Sequence, residues 1–275
     1  MPSPTEITIP QLSRLIGTPA TPAIIDVCID DDFNADPRLI PAARRHPFGE
    51  IAELAPRLRD TRTVVVCQKG KKLSQGAAAV LRAHGVAAET LAGGNLAWRD
   101  AGEPLVPADR IPPRNAEGRT VWVTRQRPKI DRLACPWLIR RFVDPDALFL
   151  FVAPAEVAEV ADRFAATPFD VEGVFWSHRG ERCTFDTMLD EFALVTEPLG
   201  RLAAVVRGAD TNRPELAPEA AGLLAASLGI SRMYRDDLAA LDAGLALYDS
   251  FYRWVRDAVD ETHDWPAASP GSAAA

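Results

Sequence analysis

The first hundred residues alternate short β-branched apolar runs with segments whose apolar positions recur every three or four residues. Ala23 to Val27, Thr63 to Val66 and Ala87 to Leu91 read as buried strands, whereas Phe48 to Leu58 and Leu73 to Ala83 carry helical spacing. Gly85 follows the second of these as a C-terminal cap. The alternation predicts a small α/β domain with a mainly parallel sheet over residues 1–106. From Glu103 to Arg119 the pattern is lost. Pro104, Pro107, Pro112 and Pro113 stand among charged residues without periodicity, which predicts a semi-rigid, extended linker over residues 107–119.

The second half, residues 120–265, opens with an alternating strand from Thr120 to Gln126. A helical pattern follows from Asp131 to Phe142, then an apolar strand from Ala147 to Val152. Beyond it the pattern is mostly helical, so this half is expected to be a mostly helical α+β domain. Leu238, Leu241, Leu245, Tyr248, Tyr252, Val255 and Val259 step by three and four, which marks one long helix with a continuous apolar stripe. Packing on its own domain is a simpler use of that stripe than a dimer seam, because coiled coils run longer. The small-residue stretch of residues 266–275 has nothing to bury and is expected to be disordered.

Composition narrows the class. With 275 residues, 47% hydrophobic and 25% charged, the chain can bury the cores of two ordinary domains. No apolar run approaches the length that spans a bilayer, and residues 1–10 lack the basic and apolar regions of a signal peptide. A cytoplasmic protein without a membrane partner is expected. Cys28, Cys67, Cys135 and Cys183 form no CxxC pair, which argues against a disulfide framework or a structural zinc site. A net charge of -7 argues against nucleic acid as a partner, since neutralising phosphates needs a basic face.

Within this acidic chain one basic cluster has chemical meaning. Cys67 closes the run Thr63-Val64-Val65-Val66 and opens the loop Gln68-Lys69-Gly70-Lys71-Lys72, immediately before the helix from Leu73. A thiol in front of a helix N-terminus, beside three lysines, stands where amides and the helix dipole favour an anion, so a thiolate is expected at neutral pH. The bland alternative is a buried strand cysteine beside a solvated lysine cluster. Cys28, one residue past the strand ending Ile25-Asp26-Val27, reads either as a resolving thiol or as a small residue at a strand end.

The Cys-x-x-Gly-x-x loop between strand and helix resembles the active-site loop of the rhodanese (sulfurtransferase) family. Ile24-Ile25-Asp26-Val27 resembles that family's early strand, and Ile40-Pro41-Ala42-Ala43 its turn. Gly93-Gly94-Asn95-Leu96-Ala97-Trp98, continuing to Gly102, resembles its closing motif. The resemblance implies sulfurtransferase activity without a cofactor, with a small anionic or thiol sulfur donor and acceptor. Cys67 would be nucleophile and sulfur carrier, and Gln68, Lys69, Gly70, Lys71 and Lys72 would bind the substrate. Family members commonly carry arginine where this chain has Cys28 and Lys72. Lysine lacks the bidentate fork, so thiosulfate is not assured as the natural donor. A loop-related phosphatase would need an arginine where Leu73 stands.

In the second half four clusters stand in order: Asp131 to Pro145 with Cys135-Pro136-Trp137, then His178 to Asp186, then Val205 to Asp210, then Tyr248-Asp249 with Tyr252 and Trp254. They resemble the C-terminal domain of the chromate-resistance ChrB family, which implies a part in resistance to chromate or related metal stress. The chemistry leaves several uses open. His178, Asp186, Glu191, Asp210 and Cys183 could hold iron, manganese or zinc. Alternatively Thr184 caps a helix, Asp186 is its first-turn acid, and His178 ends a strand after Val174-Phe175-Trp176. A third use is an oxyanion pocket drawn from Arg132, Arg140, Arg141, Arg179, Arg182 and Arg207. A non-catalytic oxyanion or metal and redox sensor is the competing class to the enzyme.

Overall fold

The computed structural model describes residues 5–261. The expected tail of residues 266–275 lies outside them. Ten strands occur among the described residues, in chain order: β1 Glu6–Ile7, β2 Ala23–Asp26, β3 Arg38–Leu39, β4 Ala43–Arg45, β5 Thr63–Val66, β6 Ala88–Leu91, β7 Val106–Pro107, β8 Val121–Arg125, β9 Leu148–Val152 and β10 Thr167–Pro168. The first half is a five-stranded, wholly parallel sheet in the order β1-β6-β5-β2-β4.

The centre of that sheet follows from its residues. All four residues of β5 are buried, as suits a β-branched strand covered on both faces. Val65 packs with Ile25, Val27, Ala77, Ala78 and Leu81 on one side, while Val64 and Val66 face the other with Ile24, Leu91 and Trp98. The helix Lys72–Ala83 buries Ser74, Ala77, Ala78 and Leu81, one stripe of an amphipathic helix, and Gly85 follows its end with φ +83°. Phe48–Leu58 begins as a 3-10 helix and becomes α-helical only from Ala55.

The second half holds a three-stranded parallel sheet, β10-β8-β9, and a group of helices: Thr184–Glu191, Glu197–Asp210, Ala220–Met233 and Asp237–Asp257. The expected alternation in β8 is absent, because both its faces are covered and Val121 to Thr124 are all buried. The helix opening at Asp131 is regular only to Leu138 and continues to Val143 as a π turn. Pro136 inside it supplies no backbone N–H, which weakens the ladder there. In the long helix Leu241, Tyr248, Tyr252 and Val255 are buried, but Leu238 is exposed and Val259 lies past the helix end.

The two halves share a core. The β5 face carrying Val64 and Val66 belongs to the same cluster as Trp137, Phe142, Tyr248 and Tyr252 of the second half. Ala42 donates its N–H to the Phe142 carbonyl at 2.7 Å. Gly17, at φ +78°, leaves no room for a Cβ against Phe142 and Tyr252.

The segment expected to be an extended linker is tethered along its length. Val106 pairs antiparallel with Leu39, Arg114 bridges to Thr120, and Arg114 Nη1 lies 2.8 Å from the buried Asp144. Local composition could not register Leu39 or Asp144 as partners, since both are distant in sequence.

Candidate functional site

The first candidate site lies where β5 and β2 end at the carboxyl edge of the parallel sheet. Cys67 is 5% exposed. Its Sγ stands 3.2 Å from Ser74 Oγ, which donates to the Lys71 carbonyl. A hydroxyl can rotate to donate to a sulfur anion, so Ser74 serves either ionisation state. Among the described residues, the N–H groups of Gln68, Lys69 and Lys71 make no backbone hydrogen bond, and the helix after them has no side-chain cap. Orphan donors of this kind at a helix N-terminus suit an anion. Lys69, Lys71 and Lys72 are exposed and form no ion pair among the described residues.

The loop keeps its shape through a glycine contact. Gly70 at φ +63° abuts the Leu91 carbonyl and the Gly94 N–H, and Gly94 at φ +62° abuts the carbonyls of Cys67 and Gln68. Asn95 and Leu96 then donate their N–H groups to those same two carbonyls, at 3.1 and 3.0 Å. The closing motif read from sequence thus locks the cysteine loop from the neighbouring crossover.

Cys28 stands beside this loop. Its N–H donates to Asp26 Oδ1 at 2.8 Å, and Asn95 Nδ2 joins Asp26 Oδ2 at 2.9 Å to Cys28 Sγ at 3.4 Å. It lines a cavity of about 90 Å³ with Phe33, Gln68, Asn95 and Leu96. Burial and the Asp26 carboxylate push its thiol far above the ordinary range, so it stays protonated. Cys28 is therefore expected to resist alkylation even above the pH of about 8.5 at which an ordinary thiol ionises. Mass-mapped iodoacetamide labelling of folded and urea-unfolded protein checks this; free-thiol rates in the folded chain would refute it.

The second candidate site lies in the C-terminal half. His178 Nε2 sits 3.2 Å from Asp210 Oδ2, 3.5 Å from Asp131 Oδ2 and 3.5 Å from Asp170 Oδ1. Asp131 opens its helix and Asp210 ends another, whereas Asp170 follows β10 after Phe169. Asp131 is wholly buried. Its Oδ2 accepts the N–H of Thr184 at 2.6 Å, while its Oδ1 has no hydrogen-bond partner. Asp170 accepts from Thr184 Oγ1 at 2.9 Å and faces Arg125 and Arg132 with its other oxygen.

The electrostatics follow from this crowding. Burial, then the carboxylates of Asp210 and Asp170, push the Asp131 carboxyl well up. Burial works against the Asp170 carboxylate too, yet hydrogen bonds from His178 and Thr184 hold it below the usual range. Hydrogen bonds with Asp170 and Asp210 raise His178 to about 10. Ile130, just before Asp131, has φ +33° and ψ −99°, a costly conformation for a β-branched residue, and Tyr248 Oη donates to its carbonyl at 3.0 Å.

Of the metal-ligating set expected from sequence, the structure brings His178 and Asp210 together and engages the rest elsewhere. Asp186 Oδ1 pairs with Arg207 at 2.7 Å while its Oδ2 accepts the Cys183 N–H at 3.0 Å, which caps the helix. Glu191 pairs with Arg179 at 2.6 Å and Arg110 at 3.0 Å. Cys183 is buried, and burial keeps its thiol protonated. His178 does not end a strand, as expected from Val174-Phe175-Trp176; Trp176 makes only a single bridge, to Phe169.

Asp131 and Asp170 were missed by sequence reasoning. Each is an acid directly after an apolar residue, Ile130 and Phe169, and that juxtaposition was the available signal. The six arginines considered for an oxyanion pocket do not converge. Arg179, Arg182 and Arg207 pair with Glu191, Asp190 and Asp186. Arg140 and Arg141 instead line a cleft between the halves of about 730 Å³, with Arg44, Arg57, Arg114 and Arg119.

Residues 122–255 match the family model described as ChrB, C-terminal domain. Protein ChrB of Cupriavidus metallidurans is 32% identical over 217 residues, covering 74% of this chain. The chain spans 65% of the length of that curated relative. Among solved structures, a rhodanese-related protein from Thermoplasma volcanium is 24% identical with a TM-score of 0.32, over 37% of this chain and 96% of its own. A rhodanese-like domain protein from Staphylococcus aureus is 27% identical with a TM-score of 0.30, over 34% and 90%. No described helix is long and apolar enough to cross a membrane. Residues 122–255 of this chain are thus similar to the ChrB C-terminal domain, and a parallel-sheet domain bearing the Cys67 loop precedes them.

Proposed function

We propose that this protein is a sulfurtransferase that carries sulfane sulfur on Cys67 and acts in resistance to chromate or related metal stress. The observation that carries the sulfur chemistry is the loop itself. A thiol at the sheet's carboxyl edge opens a loop whose Gln68, Lys69 and Lys71 amides make no backbone hydrogen bond among the described residues. The loop lies at a helix N-terminus, is held by the Gly70 and Gly94 contact, and carries three lysines that form no ion pair among the described residues. The resistance role is supported by the ChrB-type domain that shares a core with it.

In the first half-reaction the Cys67 thiolate attacks the outer sulfur of a donor such as thiosulfate. A Cys67 S–S bond forms, the donor S–S bond breaks, and sulfite departs with the electron pair. The loop amides and lysines stabilise the terminal persulfide anion. An acceptor thiolate or cyanide then attacks that outer sulfur, and the electron pair returns to Cys67. Cys28, protonated beside Asp26, does not compete as nucleophile.

Intact mass after incubation with thiosulfate or polysulfide tests the reading. One added sulfur that cyanide removes is expected, with none in Cys67→Ser. Uptake by Cys67→Ser equal to the parent protein would transfer the role to another group. No uptake by the parent would favour the competing reading, a sensor module, toward which the burial of Cys67 points.

A further inference from the structure

Beyond the sulfur chemistry, we propose that Asp131, Asp170, His178 and Asp210 bind one divalent transition-metal ion, of the manganese, iron or zinc kind. One ligand atom each from Asp131, Asp170 and His178 lie within 4.8 Å of one another. Metal–ligand bonds of about 2.0–2.2 Å separate neighbouring donors by roughly 3 Å and opposite donors by roughly 4.3 Å, so a small contraction suffices. Asp210 Oδ2 stands 3.2 Å from the same His178 Nε2, at the edge of this group, and can serve as a fourth donor.

A second observation points to a ligand independently of the clustering. Asp131 is 0% exposed and its Oδ1 has no hydrogen-bond partner. An orphaned carboxylate oxygen in a protein interior is costly, and a cation is the partner that most directly offsets it. The other oxygen is already committed to the amides of Thr184 and Phe185, which fixes the carboxylate plane. Asp170 is likewise oriented by Thr184, Arg125 and Arg132. Such outer contacts are what position ligands around a metal.

A protonated His178 bridging the acids is the alternative use of these residues. It reaches one oxygen of each carboxylate and leaves Asp131 Oδ1 unanswered. Three carboxylates and one imidazole form a hard to borderline donor set, which selects manganese, iron or zinc over copper(I). The His178 side chain is 41% exposed, so one side of the site opens to solvent and leaves room for water or a small anion as a further ligand.

The test uses the full chain, stripped with a chelator and titrated with manganese, zinc and cobalt(II) by calorimetry and metal analysis. One ion per chain is expected, with a cobalt spectrum lacking a thiolate charge-transfer band. His178→Asn and Asp210→Asn should each weaken affinity by about tenfold or more. These positions are partly exposed, so both variants should keep the parent's circular dichroism; Asp131 is too buried for a clean substitution. Substoichiometric metal, equal affinity in His178→Asn, or a thiolate band lost in Cys183→Ala would each overturn the proposal. Cys67→Ser should bind metal normally, so this result and the sulfur reading fail or stand separately.

Discussion

Trp137→Ala is expected to lower the unfolding free energy by about 3–5 kcal/mol. Trp137 is fully buried in the core that both halves share. Its ring centroid lies 5.7 Å from Phe142, 5.4 Å from Tyr252, 6.2 Å from Tyr248 and 6.4 Å from Phe185. Truncation leaves a cavity among four rings that cannot all move inward, because Tyr248 is also tied to the Ile130 carbonyl. The indole N–H donates to Asp249 Oδ1 at 2.8 Å, and Arg141 bonds both oxygens of that carboxylate. Its loss weakens a partly buried network as well as the packing. Urea unfolding measures the change. A loss below about 1 kcal/mol would show that the cluster repacks and that the halves do not depend on this ring.

Gly94→Ala is expected to abolish most sulfur loading while also destabilising the N-terminal domain by about 2 kcal/mol or more. Gly94 holds φ +62°, which costs an L-residue about 1–2 kcal/mol. The added Cβ would also collide with the Cys67 carbonyl and the Gly70 N–H, both backbone atoms that cannot rotate aside. Relief requires the crossover to withdraw, and the N–H groups of Asn95 and Leu96 go with it. The cysteine loop then loses the bonds that aim its free amides. Mass-monitored sulfur uptake, read beside the denaturation midpoint, separates the two effects. Full uptake at an unchanged midpoint would show that the glycine contact is dispensable.

The two candidate sites differ in how far sequence reaches them. Cys67, its loop and the following helix are contiguous, so strand pattern, lysine cluster and helix start could be read together. Asp131, Asp170, His178 and Asp210 come from four separate segments without a common spacing. Nothing in the sequence marks Asp131 as fully buried or one of its oxygens as unpartnered, because burial depends on what the fold lays over a residue. Conversely, Asp186 and Glu191 sit near His178 in sequence, yet tertiary arginines claim them: Arg207 for Asp186, Arg110 and Arg179 for Glu191.

By itself the sequence determined the local elements of this protein. Thr63 to Val66 form a strand because β-branched residues suit a covered sheet, and Leu73 to Ala83 form a helix because their apolar stripe has its period. Order along the chain likewise determined two differently textured halves. Only the tertiary structure decided that the Pro-rich segment is tethered through Val106 and Arg114. It also decided that Val64 and Val66 join the core around Trp137, and that three distant carboxylates meet at His178. The physical reason is common to all three. Propensity and periodicity act between near neighbours, whereas burial, pairing and charge crowding are set by residues that only folding brings together.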